Sequence, residues 1–133
     1  MKLCIIGTGY VGLVSGVCFS DLGNTVYCVD KDTNKINLLN NGKIPIYEPG
    51  LEELVKKNFK QKHLLFTTNI ENAIKKSDVI FICVGTPTNK KNNSVNLKYV
   101  IQASKEISKY INRYKVIVIK STVSITTGDK IEK

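Results

Sequence analysis

Three glycines near the amino terminus follow an apolar run in the order G-x-G-x-x-G, within KLCIIGTGYVGLVSGVCFSDLG. Gly7 ends the apolar run, Gly9 would let a ligand approach the backbone, and Gly12 would let a following helix pack tightly on a strand. The first N–H groups of that helix and the positive end of its dipole suit phosphate oxygens. The spacing therefore favours a dinucleotide site, with the pyrophosphate at the turn, over a turn of purely structural purpose.

An acidic residue stands where such a site needs a partner for the adenosine ribose. Asp30 ends the next apolar run, TVYCV, and its carboxylate can accept hydrogen bonds from both ribose hydroxyls. The same carboxylate would repel the 2′-phosphate of NADP, so it favours NAD. Lys31 and Lys35 could each neutralise that phosphate, and Lys35 could equally donate to a ribose hydroxyl. Asp32 is predicted to cap the helix that follows.

Apolar runs alternate with helical patterns along the whole chain. Such alternation predicts βαβ units and a doubly wound α/β domain, Rossmann-like, with a parallel sheet that stops after about five strands. The domain is expected to span residues 1–133, with a polar loop at 89–93 and Pro49 in the first turn of its helix. Strands are predicted at 2–7, 25–29, 64–67, 78–84 and 115–119, and helices at 11–22, 33–40, 49–58, 70–76, 97–111 and from 126 onward.

The carboxyl ends of the strands are where an open parallel sheet binds its ligand. Tyr10 and Val11 follow the first strand, Thr86 follows the fourth, and Ser121 and Thr122 follow the fifth. Hydroxyls at two neighbouring strand ends suit a phosphate, a ribose or a nicotinamide amide. Capping of a helix or turn is the alternative role for these hydroxyls.

The charge and composition bear on whether the protein is globular and whether it binds nucleic acid or a membrane. The chain has 133 residues, 42% of them hydrophobic and 23% charged, which is typical of one globular domain. Its net charge of +9 by itself would suit a nucleic-acid partner. Arg113 is its single arginine, and the lysines are scattered, so we expect no nucleic-acid partner. No apolar run is long enough for a membrane span, and a strand follows the first residue directly. We therefore expect a cytoplasmic protein without a membrane partner.

The cysteines point to neither a metal site nor a redox pair. Cys4, Cys18, Cys28 and Cys83 form no C-x-x-C motif, and His63 is the only histidine. We expect four buried, reduced thiols that behave as small hydrophobic side chains, and no metal ligand set.

Four stretches that cover nearly the whole chain resemble the amino-terminal domain of the UDP-glucose/GDP-mannose dehydrogenases, in the family's order. They are IGTGYVGLVSGVCFSDLGN, VDKDTNKINLLNNGKIPIYEPGLEELV, FTTNIENAIKKSDVIFICVGTP and VIVIKSTVSITTGDK. The segment IPIYEPGL is more similar to the UDP-glucose branch than to the GDP-mannose branch. One departure lies after the fifth strand, where Ser124 and Thr126 replace the proline and glycine of the family's STVP-x-GT.

The resemblance implies a two-step, NAD-dependent oxidation of the C6 hydroxyl of UDP-glucose, which yields UDP-glucuronate. GDP-mannose or UDP-N-acetyl-mannosamine as substrate, and a stand-alone NAD-binding module without turnover, are the alternatives. The threonine that matches Thr122 lies near the nicotinamide in the family and helps to position a water or the reacting oxygen. The family's NAD contacts correspond to Tyr10, Val11, Asp30, Lys35, Thr86 and Thr122.

Family members are much longer than this chain. By resemblance, the nucleophilic cysteine, the lysine and asparagine near the oxyanion, the sugar-nucleotide pocket and the central dimer helix all lie beyond residue 133. The chemistry needs a thiolate to hold the aldehyde and then the acyl group before hydrolysis. We therefore expect the chain alone to be inactive, and the full-length protein to be a homodimer.

Overall fold

Strands and helices alternate along the chain in the computed structural model, which describes residues 1–88 and 95–132. The loop predicted at 89–93 lies outside the described residues. The strands are β1 (Lys2–Ile6), β2 (Thr25–Val29), β3 (Leu64–Thr67), β4 (Val79–Ile82) and β5 (Val116–Ile119). The helices are α1 (Tyr10–Asp21), α2 (Thr33–Asn40), α3 (Leu51–Lys60), α4 (Ile70–Lys76), α5 (Lys98–Tyr110) and α6 (Thr127–Glu132).

The five strands form one parallel sheet in the order β3-β2-β1-β4-β5. Ile6 at the end of β1 pairs with Val29 of β2 on one side and with Ile82 of β4 on the other. The strand order reverses between β1 and β4, which opens a crevice at their carboxyl ends. The predicted α/β fold with a doubly wound parallel sheet is confirmed.

Two hydrophobic cores sandwich the sheet because its central strands are apolar on both faces. Leu13 and Val17 of α1 pack on one face with residues of α2 and α3. Val100 and Ile107 of α5 pack on the other face with residues of α4. Neighbouring residues of β1 divide between the two cores, Ile5 in the first and Ile6 in the second.

The third helix begins later than the sequence predicts. Pro49 lies before it, and α3 starts at Leu51. The reason is Gly50, whose φ of 78° is left-handed and incompatible with a helical turn. The fourth strand is also shorter than the predicted 78–84, since β4 ends at Ile82.

The prediction of four buried thiols is wrong for Cys18. This residue is exposed, whereas Cys4, Cys28 and Cys83 are buried. Helix α1 turns Val17 toward the sheet, and the next residue along a helix points about 100° away from it. Among the described residues, no helix is both long and apolar enough to cross a membrane.

Candidate dinucleotide-binding site

The three glycines of the turn are required for different physical reasons. Gly7 has a φ of 98°, and a Cβ there would lie 2.7 Å from the carbonyl oxygen of Cys83. A Cβ on Gly12 would lie 1.9 Å from the carbonyl oxygen of Gly7. A Cβ on Gly9 would meet nothing within 4 Å. Packing therefore explains the first and third glycines, while the open space beside Gly9 is room for a ligand.

The amino terminus of α1 faces this open space without a side-chain cap. Gly9 is the N-cap residue and offers no side chain, and the first turn carries no acidic residue. The first helical hydrogen bond runs from the Leu13 N–H to the Gly9 carbonyl oxygen at 2.9 Å. The N–H groups of Tyr10, Val11 and Gly12 have no acceptor among the described residues. Such N–H groups at a positive dipole end are suited to phosphate oxygens.

Asp30, at the end of β2, is held beside the turn by a network of donors. Its Oδ2 accepts hydrogen bonds from the Thr8 N–H at 3.0 Å, from the Thr8 hydroxyl at 2.7 Å and from Lys35 Nζ at 3.1 Å. Its Oδ1 accepts from the Asp32 N–H at 3.1 Å. These contacts orient the carboxylate at the crevice, as a ribose partner requires.

The donors around Asp30 also keep it ionised. Burial alone would raise the pKa of this carboxyl group, because it disfavours the charged form. Hydrogen bonds from the Thr8 and Asp32 N–H groups, the Thr8 hydroxyl and Lys35 outweigh that effect and lower the pKa below 3.8. Asp30 is therefore ionised at neutral pH and forms an ion pair with Lys35.

The neighbouring charged residues occupy distinct positions. Lys35 pairs with Asp30, and the carboxylate of Asp32 accepts the N–H groups of Asn34 and Lys35 as the cap of α2, as predicted. Lys31 instead places its ammonium 5.2 Å from the centre of the Tyr99 ring on α5.

A cavity of about 520 Å³ joins these groups. It lies between the glycine turn, the end of β2 and one side of α5, with a largely apolar floor. Four of the predicted residues line it, namely Gly7, Gly9, Asp30 and Lys35. Its remaining lining comes from the last residues of β1 and β2, from Lys31, from residues after β3 and β4 and from α5.

The other predicted residues lie next to the cavity or further along the edge of the sheet. Tyr10 and Val11 are exposed at the start of α1, and the Tyr10 hydroxyl donates to the Glu48 carboxylate. Thr86 is half-buried and Thr122 is exposed, and neither lines the cavity.

Ser121 has a structural role. Its hydroxyl donates to the Val84 carbonyl oxygen at 2.7 Å and so joins the ends of β4 and β5. This hydroxyl therefore holds two strand ends together, and Thr122 is the exposed residue of the pair.

Sequence reasoning missed several residues of this region. Thr8 is fully buried and holds Asp30, and its only signal is a hydroxyl between the first two glycines of the motif. Glu48 gives no periodic signal, since it lies in the segment that precedes α3. Gln102 and Glu106 border the apolar stripe of α5 and could have been found by asking which polar residues adjoin that stripe.

Metal-ligand clusters and ionised thiols are two further features to look for among the described residues of the site. Among residues 1–88 and 95–132, no group of three or more His, Cys, Asp or Glu side chains could hold a metal ion. Burial raises the pKa of Cys83, the thiol at the cavity, to about 11, so it is protonated at neutral pH.

Comparison with known proteins agrees with this geometry. The model of the UDP-glucose/GDP-mannose dehydrogenase family, NAD binding domain, matches residues 1–133. The predictions of this family and of NAD as cofactor are thereby confirmed.

Individual relatives are similar over almost the whole chain. A UDP-glucose 6-dehydrogenase of Rhizobium meliloti (strain 1021) is 50% identical over 133 residues, which are 100% of this chain and 30% of the relative. The UDP-glucose 6-dehydrogenase TuaD of Bacillus subtilis (strain 168) is 53% identical over 98% of this chain and 28% of its own length. The chain thus spans about 30% of the length of the curated relatives it matches.

The chain is also similar to a solved dehydrogenase that is named for another nucleotide sugar. A ternary complex of GDP-mannose dehydrogenase from Pseudomonas aeruginosa superposes with a TM-score of 0.94 at 41% identity, over 98% of this chain and 30% of that one.

Proposed function

Because this chain belongs to the UDP-glucose/GDP-mannose dehydrogenase family, we propose that it supplies the NAD-binding part of a nucleotide-sugar dehydrogenase. The preferred reaction is the oxidation of UDP-glucose at C6 to UDP-glucuronate. One observation carries the proposal, which is the position of the Asp30 carboxylate beside a glycine turn whose helix N-terminus has no cap.

The residues of the turn divide the binding of NAD among them. Gly9 and the first N–H groups of α1 hold the pyrophosphate, and Asp30 with Lys35 holds the adenosine ribose. By resemblance, Thr86 contacts NAD, and Thr122 lies near the nicotinamide, where it assists the positioning of a water or the reacting oxygen. NAD, when bound, supplies a hydride acceptor. The part of this chain is to bind and orient.

The environments of the cysteines support the proposal that the catalytic thiolate is supplied by residues outside this chain. The reaction requires a thiolate close to the substrate carbon. Burial raises the pKa of Cys4 to about 12, and the exposed Cys18 does not line the cavity. We therefore propose that the 133-residue chain by itself produces no NADH from UDP-glucose. A spectrophotometric assay at 340 nm tests this, and steady turnover would contradict it.

The substrate is assigned by similarity of sequence. Two relatives that are 50% and 53% identical are UDP-glucose 6-dehydrogenases. GDP-mannose is the second candidate, because the solved dehydrogenase with a TM-score of 0.94 acts on it by name. A panel of UDP-glucose, GDP-mannose and UDP-N-acetyl-mannosamine, offered to the full-length protein, separates these possibilities.

The cofactor role is tested by titrating the chain with NAD and NADP in a calorimeter. We expect NAD to bind more tightly than NADP, since the Asp30 carboxylate repels a 2′-phosphate. Asp30→Ala should weaken NAD binding by about tenfold and reduce the preference over NADP, as loss of a hydrogen bond to a charged group predicts. An unchanged preference would show that Asp30 is not the ribose partner. Failure of a folded sample to bind NAD would overturn the proposal.

A further inference from the structure

The cavity has a second wall, formed by α5 and separate from the glycine turn. Tyr99, Gln102, Ala103 and Glu106 line it from this helix. Their spacing of three and four residues places them on one stripe of the helix surface. The stripe faces the same space as Asp30, so the cavity continues past the ribose position toward α5.

The floor of the cavity between these two walls is apolar. A flat aromatic base fits a slot of this kind, which buries its faces and leaves its polar edge to the walls. If the pyrophosphate of NAD binds at the turn and its adenosine ribose at Asp30, the space that remains is next to the adenine base. The apolar lining residues outside α5 are Ile6, Val29, Ile70, Cys83 and Val84.

The contact between Lys31 and Tyr99 connects the two walls. Lys31 follows β2, and its ammonium lies 5.2 Å from the centre of the Tyr99 ring on α5. A cation over an aromatic ring is attracted to it. This contact therefore reaches from the end of β2 to α5 beside the cavity that both residues line.

Glu106 is the acidic group of the α5 wall. Its Oε1 accepts a hydrogen bond from Lys109 Nζ at 2.6 Å, and its side chain is 32% exposed. Its Oε2 has no hydrogen-bond partner within the described part of the chain. A carboxylate only accepts hydrogen bonds, so the unpaired oxygen of Glu106 suits a donor on the ligand.

We propose that Glu106 is a specificity-determining residue, which makes the cavity prefer a dinucleotide whose purine carries an exocyclic amino group. The inference rests on the proposed NAD binding and concerns the base end of the same site. The amino group of adenine can donate to the Glu106 carboxylate. In hypoxanthine a carbonyl oxygen replaces that group, and two acceptors would then face each other.

The test compares NAD with nicotinamide hypoxanthine dinucleotide, which differs from it only at the purine. We expect the unaltered chain to bind NAD about tenfold more tightly, the effect of one hydrogen bond to a charged group. Glu106→Gln should reduce this preference to about twofold or less, because a side-chain amide can donate as well as accept. Glu106→Ala should reduce it similarly.

Glu71→Gln is the matched control. Glu71 forms a similar helical ion pair, with Lys75 at 2.5 Å on α4, but it does not line the cavity. Its replacement should leave the preference unchanged, and circular dichroism verifies that each variant is folded. Equal affinity of the unaltered chain for both dinucleotides overturns the role of Glu106 and leaves the NAD site intact. Loss of binding to both by a folded chain overturns the NAD site and the base selectivity together.

Discussion

The glycine turn at 7–12 and the loop at 120–126 both follow strands of the same parallel sheet, but the rest of the molecule holds them to different degrees. In the turn, Gly7 and Gly12 lie against backbone atoms, and Thr8 is fully buried. Asp30 reaches the turn from the neighbouring strand and accepts two hydrogen bonds from Thr8. Packing and hydrogen bonds together hold the backbone of the turn and the Asp30 side chain in one conformation.

The loop after β5 has fewer constraints. Strand β5 is an edge of the sheet, where Val116 and Ile117 remain 44% and 38% exposed. The loop is attached by the N–H groups of Lys120 and Ser121 and by the Ser121 hydroxyl, which bond to carbonyl oxygens at the end of β4. Val123 is its one hydrophobic residue packed against the core. Thr122 and Ile125 project into solvent.

The glycine turn and the loop after β5 differ in how firmly they are held, and they are also proposed to do different things: the turn binds the cofactor, and the loop positions a reacting group. The residues proposed to bind the phosphates and ribose are held by contacts within this chain. Thr122, proposed to assist the reaction, has no side-chain hydrogen bond within the described residues. Its orientation therefore depends on contacts that the ligand or other protein groups would supply.

Of the substitutions in these two regions, we expect one at Gly12 to cause the largest loss of stability. Gly12→Ala would place a Cβ 1.9 Å from the Gly7 carbonyl oxygen, and α1 would have to move away from β1. We expect a loss of about 3 kcal/mol in the free energy of unfolding, the upper range for overpacking, and loss of NAD binding. Urea denaturation and calorimetric titration measure the two effects.

Gly9→Ala is the control for that variant. Its φ of −71° suits alanine, and the added Cβ meets nothing within 4 Å. The free energy of unfolding should change by less than about 0.5 kcal/mol. NAD binding should still weaken by about tenfold or more, because the methyl group occupies the space proposed for the pyrophosphate. Equal destabilisation by the two variants would contradict the distinct roles of these glycines.

The second-largest effect is expected at Asp30, whose hydrogen bonds should stabilise the fold in a pH-dependent way. At pH 7, Asp30→Asn should lower the free energy of unfolding by about 2 kcal/mol, since it replaces a carboxylate that accepts several hydrogen bonds. The pKa of Asp30 is lowered on folding, so its contribution is present above 3.8 and is lost as the pH falls through the folded-state pKa. The difference between the two proteins should therefore shrink below pH 3.8.

Asp32→Asn provides the comparison for this measurement. Asparagine keeps the oxygen that accepts the Asn34 and Lys35 N–H groups at the start of α2. The free energy of unfolding should change by only about 0.5 kcal/mol or less, because the two residues cap helices almost equally well. If the Asp30→Asn difference stayed constant from pH 7 to acid, its cause would be packing rather than charge.

The sequence was sufficient to predict the features of the fold that depend on local patterns. The apolar runs identify all five strands, and the spacing of Gly7, Gly9 and Gly12 identifies the turn. Asp30 could be placed beside the turn because β1 and β2 are consecutive and parallel. Each of these inferences needs only neighbours in the chain or in the sheet.

Features that depend on distant side chains could not be predicted in this way. The wall formed by α5 faces Asp30 only because β4 lies on the opposite side of β1 from β2, and helical spacing alone does not reveal what a polar stripe faces. The bond between Tyr10 and Glu48 joins segments with no periodic relation. The exposure of Cys18 depends on how α1 is rotated against the sheet, which its small residues leave ambiguous.

The smallest predicted effects lie in the loop after β5, at two adjacent hydroxyls. Ser121→Ala removes the hydrogen bond to the Val84 carbonyl oxygen and should lower the free energy of unfolding by about 1 kcal/mol. Thr122→Ala removes an exposed hydroxyl and should change it by less than about 0.5 kcal/mol. Urea denaturation of both variants at neutral pH makes the comparison. A larger loss at Thr122 than at Ser121 would mean that the loop is held through Thr122, and its proposed place beside the reacting oxygen would then have to be abandoned.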